Sequence, residues 1–353
     1  MLTVSITIAA KNEEKNIEKS LSSALNQSYE PIEIFLIDDT STDKTAEVAE
    51  RCYATICRGM TPRPRGHTPN FTIIKNEKNL GFGGSHNVGM RRASGDFVLC
   101  LNADCELDRD YVKYAVEVFE KDKTVGAVQG KLLNRRTGKI DTTGLLIFEN
   151  RRVVNRGQGE LDNGQYENPE EIWGVDGAAP VYRRAMLEDI KIPRMGKGQA
   201  TSDGGDYEYF DQDFFAYKED IDLSWRMRLA GWKCVYQPKA VAYHDRSAGE
   251  GVAKNPLQII QARKKVSEFA RVHSFVNQRL MLIKNETPLL FFKYSPKIIA
   301  KEFAALTYVL LFEGYGLRAT KEFFRLLPGA IRKRRFVMEK RRIKDRDTEK
   351  WLK

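Results

Sequence analysis

An α/β fold, built on a mostly parallel and doubly wound sheet with a helical C-terminal extension, is what this sequence predicts, on three observations. Apolar runs of strand length alternate with stretches of helical period from Thr3 to Gln129, the pattern of parallel strands whose crossover helices cover both faces of a sheet. Several runs end in carboxylate or carboxamide side chains, as buried strands do when they deliver polar groups to the crevice beyond their carboxyl ends. Beyond about Asn255 the strand signal stops and helical period takes over.

The first strand is read over Thr3-Val4-Ser5-Ile6-Thr7-Ile8-Ala9-Ala10 and ends at Ala9. Ile17, Leu21, Ala24 and Leu25 fall at i, i+4, i+7 and i+8 and form one apolar stripe, and Asn12-Glu13-Glu14 stands where a cap and an acidic first turn belong. Ile32 to Ile37 is a second strand running into Asp38-Asp39, and Ala46, Ala49 and Tyr53 give the next helical face. Cys57 to Pro69 holds Pro62, Pro64 and Pro69 and reads as a surface insertion.

Phe71 to Ile74 is a third strand, followed by the Gly-rich stretch Asn79 to Gly89 that turns into a helix. Such a turn lets backbone approach a ligand, and the helix start offers N–H groups to an anion. It is not the dinucleotide fingerprint, because it follows the third strand and no G-x-G-x-x-G follows Ile8, which counts against a nicotinamide enzyme. Val98 to Leu101 then drives into Asn102-Ala103-Asp104. An Asp at a strand end, with no basic neighbour, can take a divalent cation and leave positions open for substrate phosphates. A helix bearing Tyr111, Val112, Ala115, Val116 and Phe119 comes next, then a strand from Val125 to Gln129.

From Lys131 to about Asn168 turn residues dominate, and strands and loops across the open rim are expected. Ile172 to Tyr182 reads as one strand with a small-residue kink at Gly177-Ala178, and Arg183 to Glu188 as a short helix. The Gly- and Asp-rich stretch from Pro193 to Asp211 has the composition of a lid. Leu223, Met227 and Ala230 share one helical face that Gly231 ends, which leaves Glu219 and Asp220 at the N-terminal turn, where the helix dipole favours both as charged carboxylates unless burial intervenes. Asp222 reads as a helix cap. Lys233 to Tyr236 and Ala240 to Tyr243 read as two short strands ending in His244-Asp245.

With 353 residues, 42% hydrophobic and 30% charged, the chain has the profile of a folded, soluble protein. Its formal charge of +10 is concentrated: Arg318 to Lys353 holds 14 Lys/Arg against 5 Asp/Glu, a surplus of +9. Cys52, Cys57, Cys100, Cys105 and Cys234 have no CxxC spacing and are expected as reduced thiols. A strand pattern begins at once, with no secretory signal in view, so a cytoplasmic protein is expected. The longest uncharged run of the apolar C-terminal segment, Phe303 to Phe312, is about half of a membrane span. Followed by basic residues, it suits either an interfacial anchor on an anionic leaflet or a helix packed on the main domain with a solvated tail.

Taken in order, Ala9, the Asp38-Asp39 pair, Asn102-Ala103-Asp104, Glu219-Asp220-Ile221-Asp222-Leu223 through Arg226 to Gly231, and His244 make residues 1–250 resemble the family 2 glycosyltransferases of GT-A (Rossmann-like) fold, most of all the rhamnosyltransferase-like subgroup. The resemblance implies a catalytic domain over 1–250, and the composition of 251–353 a helical, basic, membrane-associating region at the inner face of the cell membrane. The resemblance implies an inverting transfer from a nucleotide-diphosphate sugar, dTDP-rhamnose or a UDP-sugar, to a hydroxyl of a growing surface glycan, with Mg²⁺ or Mn²⁺ as cofactor, and the location of the tail makes a lipid-linked glycan the expected acceptor.

Carried over by position, Ala9, Asn12, Glu13, Asp39, Asn79, Gly81, Gly84, Asn87, Asn102, Ala103 and Asp104 would bind the nucleotide sugar, with Asp39 accepting a pyrimidine N3–H. Asp104 would hold the metal, Asn102 standing where the family has an acid, and His244 would be either a second ligand or a hydrogen-bonded rim histidine. Asp220 would be the general base and Glu219 would orient the acceptor. Gly177 and Ala178 leave room for the acceptor or merely kink a strand, and Trp225 and Trp232 stack on sugars or pack the core. Two other readings compete. A nucleotidyltransferase or sugar-nucleotide pyrophosphorylase would want a Gly-rich, Lys/Arg-bearing loop where Ala9-Ala10-Lys11-Asn12-Glu13-Glu14 stands. A nucleotide-sugar or nucleic-acid binding protein is disfavoured for nucleic acid because Arg332-Lys333-Arg334-Arg335 and Lys340-Arg341-Arg342 lack interleaved base-reading side chains.

Overall fold

A computed structural model describes residues 2–59, 69–195, 205–245, 261 and 266–353. The expected insertion around Pro62 and Pro64, the middle of the expected lid, and the expected helical start at Leu257 and Ala262 lie outside the described residues.

The first half runs β1 (Val4–Ala10), α1 (Ile17–Leu25), β2 (Ile32–Asp38), α2 (Thr45–Gly59), β3 (Asn70–Lys75), α3 (Gly81–Arg92), β4 (Phe97–Asn102), β5 (Cys105–Leu107), α4 (Tyr111–Lys121) and β6 (Val125–Leu133). Short strands follow as β7 (Ile140–Thr142), β8 (Leu145–Ile147), β9 (Val153–Asn155), β10 (Glu170–Ile172) and β11 (Val181–Arg183), then α5 (Arg184–Ile190), β12 (Ile192–Pro193) and β13 (Tyr207–Glu208). The remainder is α6 (Glu219–Leu229), β14 (Lys233–His244), α7 (Glu268–Asn285), α8 (Pro288–Phe312), α9 (Gly316–Glu339) and α10 (Asp345–Glu349).

The main sheet orders its strands β10-β14-β6-β11-β4-β1-β2-β3. β3, β2, β1 and β4 are parallel, as are β6 and β14, and the one strand between the two groups, β11, is antiparallel to both β4 and β6. Alternate residues of each strand serve opposite faces, as strand geometry requires. Phe97, Leu99 and Leu101 join α1, α2 and α4 in one core, while Val98 and Cys100 join α3, α5 and α6 in the other. The doubly wound arrangement expected of the sequence is what forms.

Two readings are corrected by this topology. The expected strand Ile172 to Tyr182 is two strands, β10 at one edge and β11 in the middle of the sheet, with residues 173–180 crossing between them at the rim. The two expected short strands before His244 are one strand, β14, whose pairing with β6 shifts register between Gln237 and Val241. All five cysteines are free, as expected.

The C-terminal helices share a third core with α6: Trp225 and Leu229 pack with Phe275, Leu280, Ala330 and Val337. Buried charge joins the two as well. Lys333 of α9, 1% exposed, pairs with Glu208 at 2.6 Å, Asp213 at 2.8 Å and Asp211, and Lys284 of α7 pairs with Asp211 and with Asp222 at 2.9 Å. Arg334 donates to the carbonyls of Ile283 and Glu286 at 2.7 Å, and Arg342 grips Asp189 at 2.6 and 2.7 Å. Lys333 of the basic run is therefore internal counter-charge, while most of its other Lys and Arg side chains are exposed. No described helix is long and apolar enough to cross a membrane.

Candidate active site

Parallel strands bring their carboxyl ends to one rim, and register decides which side chains meet there. Ala9 lies opposite Ile37 on one side and Asn102 on the other. The loop after β1 and the loop after β2 are knitted together: Asn12 donates its N–H to Ser41 Oγ at 3.0 Å and accepts Thr42 N–H at 2.8 Å, and Glu13 N–H donates to Thr45 Oγ1 at 2.8 Å. Asn12 and Thr40 hold positive φ to do so, 58° and 61°. Left-handed backbone at non-glycine residues costs on the order of 1–3 kcal/mol and gathers where geometry is over-determined.

The buried Asp39 carboxylate caps α3. Its Oδ1 accepts from Leu80 N–H and Asn76 Nδ2, both at 2.8 Å, and its Oδ2 from Gly81 N–H at 3.0 Å. The N–H groups expected to meet an external anion are thus held by the chain's own carboxylate. Three of the roughly four positions at which a carboxylate accepts are filled. The glycines of this segment also serve packing rather than ligand approach. A Cβ on Gly81 would lie 2.2 Å from Phe215 O, and one on Gly84 2.7 Å from Leu80 Cβ.

The crossing segment 173–180 carries the rim toward α6. Asn102 N–H donates to Ala178 O at 2.8 Å, Gly177 N–H donates to Asp220 Oδ2 at 3.0 Å, and Asp220 Oδ1 accepts the N–H of Ile221 at 2.8 Å. The turn entering α6 is strained, with φ of 59° at Phe215, 69° at Tyr217 and 77° at Lys218, the helix N-cap. Asn277 of α7 holds it, its amide nitrogen 2.8–2.9 Å from the carbonyls of Phe214, Ala216 and Tyr217.

Glu219 and Asp220 are consequently not the pair of exposed, charged carboxylates expected of a helix N-terminus. Burial, joined by the neighbouring Asp220 charge, raises Glu219 to about 8, and its Oε2 has no hydrogen-bond partner among the described residues. Burial and Asp176 raise Asp220 to about 6, against the pull of the Ile221 and Gly177 N–H groups and Lys218. At neutral pH Glu219 is a neutral acid beside an ionised Asp220, so desolvation overrides the helix dipole here.

Across the rim, the exposed Asp104 stands 3.3 Å from His244 Nε2, and His244 Nδ1 is 2.9 Å from Asp141. Burial alone would lower the imidazolium, but hydrogen bonds and charge from the two carboxylates outweigh it and raise His244 to about 9. Glu13 is close enough to Asp104 that its carboxyl rises, chiefly by burial and further by that charge. Asn102 Oδ1 is buried with no hydrogen-bond partner among the described residues.

These residues fit a divalent cation of the kind that takes one or two protein ligands and completes its shell with water and substrate phosphate. Among the described residues no three His, Cys, Asp or Glu side chains converge on one metal position. The donor set is the Asp104 carboxylate and His244 Nε2, whose proton a metal would displace, with Asp141 orienting the ring from behind, as metal-ligating histidines require.

Several expected site residues are placed elsewhere. Asn87 is 0% exposed, and its amide bonds the backbone of Tyr209 and Phe210. Gly84, Ala103 and Ala178 are buried, so none offers a side chain to ligand. Trp225 is 2% exposed and meets Trp173 edge to face, and Trp232 donates its ring N–H to Asp189 at 2.9 Å, so both serve packing. Asp222 does not cap α6; it is buried against Arg226 at 2.9 Å, Lys284, and Asn285 at 2.7 Å. Asn79 stays exposed and accepts Gly81 N–H at 3.0 Å.

Sequence reasoning missed Asp141, Asp176 and Gln129. Asp176 N–H donates to Gln129 Oε1 at 2.7 Å, and Asp176 Oδ1 accepts Ala178 N–H at 3.0 Å, which fixes the segment that holds Asp220. An Asp flanked by Val and Gly inside an apolar run was the available signal.

A family model described as Glycosyl transferase family 2 matches residues 5–191. Poly-beta-1,6-N-acetyl-D-glucosamine synthase of Staphylococcus aureus (strain COL) is 27% identical over 242 residues, 68% of this chain and 49% of that protein. The Staphylococcus epidermidis synthase of the same name is 26% identical over 248 residues, with the same shares. The chain spans about half the length of these curated relatives. Among solved structures, mannosyltransferase PcManGT from Pyrobaculum calidifontis in complex with GDP-Man and Mn²⁺ superposes with a TM-score of 0.50 at 17% identity, over 96% of this chain and 85% of that one. GalNAc-T7 with UDP, GalNAc and Mn²⁺ superposes with a TM-score of 0.51 at 15% identity, over 88% and 57%. At these identities the likeness to solved structures is one of fold.

Proposed function

The chain belongs to glycosyl transferase family 2 and has the GT-A fold, and from that premise we propose that it is an inverting enzyme moving a sugar from a nucleotide-diphosphate donor to a hydroxyl of a growing glycan. The observation that carries the reading is Asp220: a carboxylate fixed by two backbone N–H groups, raised toward neutral pH, on the rim that also bears Asp104 and His244.

A general base works best when its pKa lies near the working pH, because it must be ionised and still hold a proton well. Asp220 meets both conditions. It takes the proton of the acceptor hydroxyl as that oxygen attacks the anomeric carbon. The neutral Glu219 next to it can donate a hydrogen bond to the acceptor. A single displacement inverts the anomeric centre, so no enzyme nucleophile is needed.

Mg²⁺ or Mn²⁺ held by Asp104 and His244 would supply Lewis-acid stabilisation of the departing diphosphate. Asp39, with one accepting position left, would take the N3–H of a pyrimidine, which favours dTDP-rhamnose or a UDP-sugar as donor. The synthases among the relatives are named for a polymer of N-acetyl-D-glucosamine, which supports a growing glycan as acceptor. The pyrophosphorylase reading is disfavoured by Glu13, whose carboxylate occupies the first loop and accepts from Asn16 at 2.7 Å where a triphosphate would want cations.

Peripheral attachment to the inner face of the membrane is part of the proposal. Leu289, Phe292, Ile299, Phe303, Leu306 and Leu310 recur at spacings of three, seven, four, three and four residues along one side of α8, with Phe292 74% and Phe303 70% exposed. The exposed Lys293 and Lys297 flank the stripe. An apolar face with basic edges lies on an anionic surface, where each basic residue contributes about 1 kcal/mol.

The test is a thermal-shift panel of nucleoside diphosphates and nucleotide sugars with and without Mn²⁺. A ligand that binds only the folded state must raise the melting temperature. A Mn²⁺-dependent rise for one nucleotide, lost in Asp104→Ala, is expected and names the donor's base. No rise with any nucleotide on folded protein would overturn the donor site.

A further inference from the structure

Three successive residues of α7 each fasten a different segment to the acceptor side of the rim, and each segment carries a cation there. Asn277 holds the turn 214–217, which leads directly into Lys218. Gln278 Nε2 donates to Arg151 O at 3.0 Å, in the turn between β8 and β9, next to Arg152. Arg279 pairs with Glu302 of α8 at 2.8 Å, next to Lys301. From this convergence we infer that Lys218, Arg152 and Lys301 form an anion subsite beside Asp220, which takes the phosphate joining the acceptor glycan to a lipid carrier. The inference rests on the glycosyltransferase reading and deepens it.

The charges of Lys218 and Lys301 are under-compensated. Lys218 is half-buried, immediately before Glu219 and Asp220, and makes no ion pair with any described residue. Burial pushes its ammonium down, Asp220 pulls it up, and Lys301 and Arg152 push it down again, so the three cations sense one another. Lys301, 2.7 Å from Glu302, shares that one carboxylate with Arg279. A partly dewatered group of like charges is unfavourable until an anion enters it. A guanidinium beside two ammonium groups offers the charge-assisted donors by which proteins hold phosphate.

Stereochemistry says which phosphate. In a displacement with inversion, the attacking hydroxyl and the departing diphosphate lie on opposite sides of the anomeric carbon. The donor's phosphates therefore belong at the Asp104 end of the rim, and an anion gathered beside the base belongs to the acceptor. The same helix states what the phosphate is attached to. Lys301 is half-buried and close enough to Lys218 for their charges to repel, while Ile299 and Phe303, two residues to either side, are 57% and 70% exposed on the apolar outer stripe. Two residues along a helix is a turn of about 200°. A carrier with a phosphate next to an apolar chain meets both faces of α8.

The test uses the full chain with its donor site filled by Mn²⁺ and whichever nucleoside diphosphate stabilises it. Titration calorimetry then compares farnesyl diphosphate, farnesol and inorganic pyrophosphate on the wild type, Lys301→Gln, Arg152→Gln, Lys218→Gln and Lys218→Arg. Farnesyl diphosphate is expected to bind the wild type at least tenfold more tightly than either other probe. Each Gln variant should lose tenfold or more while Lys218→Arg retains most of the affinity, with the nucleotide-induced thermal shift unchanged throughout. Equal affinity for farnesyl diphosphate in the wild type and the folded Lys301→Gln protein would overturn the subsite. Equal affinity of the wild type for pyrophosphate would overturn the lipid carrier. Failure of every nucleoside diphosphate to stabilise the wild type would overturn the transferase reading itself, separately from these outcomes.

Discussion

Gly177 donates its N–H to Asp220 Oδ2 at 3.0 Å, and the next residue, Ala178, accepts the N–H of Asn102 at 2.8 Å. Asp220, the proposed base, is thereby tied to the strand end that leads to Asp104 through two hydrogen bonds and one peptide unit.

Removing the base without disturbing this linkage is the direct test of its role. Asp220→Asn should lower kcat by about 10²–10⁴, the usual worth of a positioned general base, while leaving donor affinity within a few fold. Because the ionised form acts, wild-type kcat should rise with pH and level off above an inflection near 6. A flat profile from pH 5 to 8 would count against Asp220.

Glu219 offers an experiment in the opposite sense. It is neutral near pH 7, so Glu219→Gln replaces one neutral hydrogen-bonding group by another and should cost less than about tenfold in kcat. It should also alter stability. A carboxyl raised from 4.5 to about 8 lends stability that is fully present below 4.5 and is lost as pH rises through 8. The stability of the wild type should therefore fall relative to Glu219→Gln as pH goes from 5 to 8 and level off above 8, the difference growing by at most about 1.4 kcal/mol per pH unit. Parallel curves would show that Glu219 is charged throughout.

These two carboxylates also mark how far the sequence can be read. β1, β2 and β4 were legible because each is an apolar run that stops at Ala10, Asp38 or Asn102, and the residues just beyond are the site. What was illegible depends on partners far along the chain. The protonation of Glu219 follows from burial and the neighbouring Asp220 charge, and His244 is bracketed by Asp104 and Asp141, 140 and 103 positions away. β11 has three residues, and nothing in Val181-Tyr182-Arg183 announces a strand inserted antiparallel between β4 and β6. Gly81, read as room for a ligand, makes room instead for the carbonyl of Phe215.

The charge network between the helices and the catalytic loop gives a stability test. Lys333→Met leaves Glu208, Asp211 and Asp213 buried or half-buried without their common cation. Breaking one side of such a network should cost about 3–5 kcal/mol, measured by urea unfolding of the variant against the wild type. A loss under 1 kcal/mol would mean that the network is dispensable.

Membrane attachment is tested on the apolar stripe. Phe292→Ser/Phe303→Ser/Leu310→Ser changes only exposed side chains, so the melting temperature should hold within a few degrees. Co-sedimentation with vesicles of 30% anionic lipid should drop at least tenfold, and raising salt should weaken wild-type binding by screening the flanking lysines. Equal sedimentation of variant and wild type would remove the stripe from the interface.

The buried pairing of Lys284 and Lys333 with Asp211 and Asp222 also sets an order of events during synthesis. The loop before α6 emerges from the ribosome more than a hundred residues ahead of the lysine that neutralises it. Until α9 arrives, Glu208 and Asp213 lack their cation and Asp211 has only Lys284 of α7. A nascent chain completes this charge network only when its C-terminal helices have emerged, so the segment leading into α6 is fastened late in synthesis.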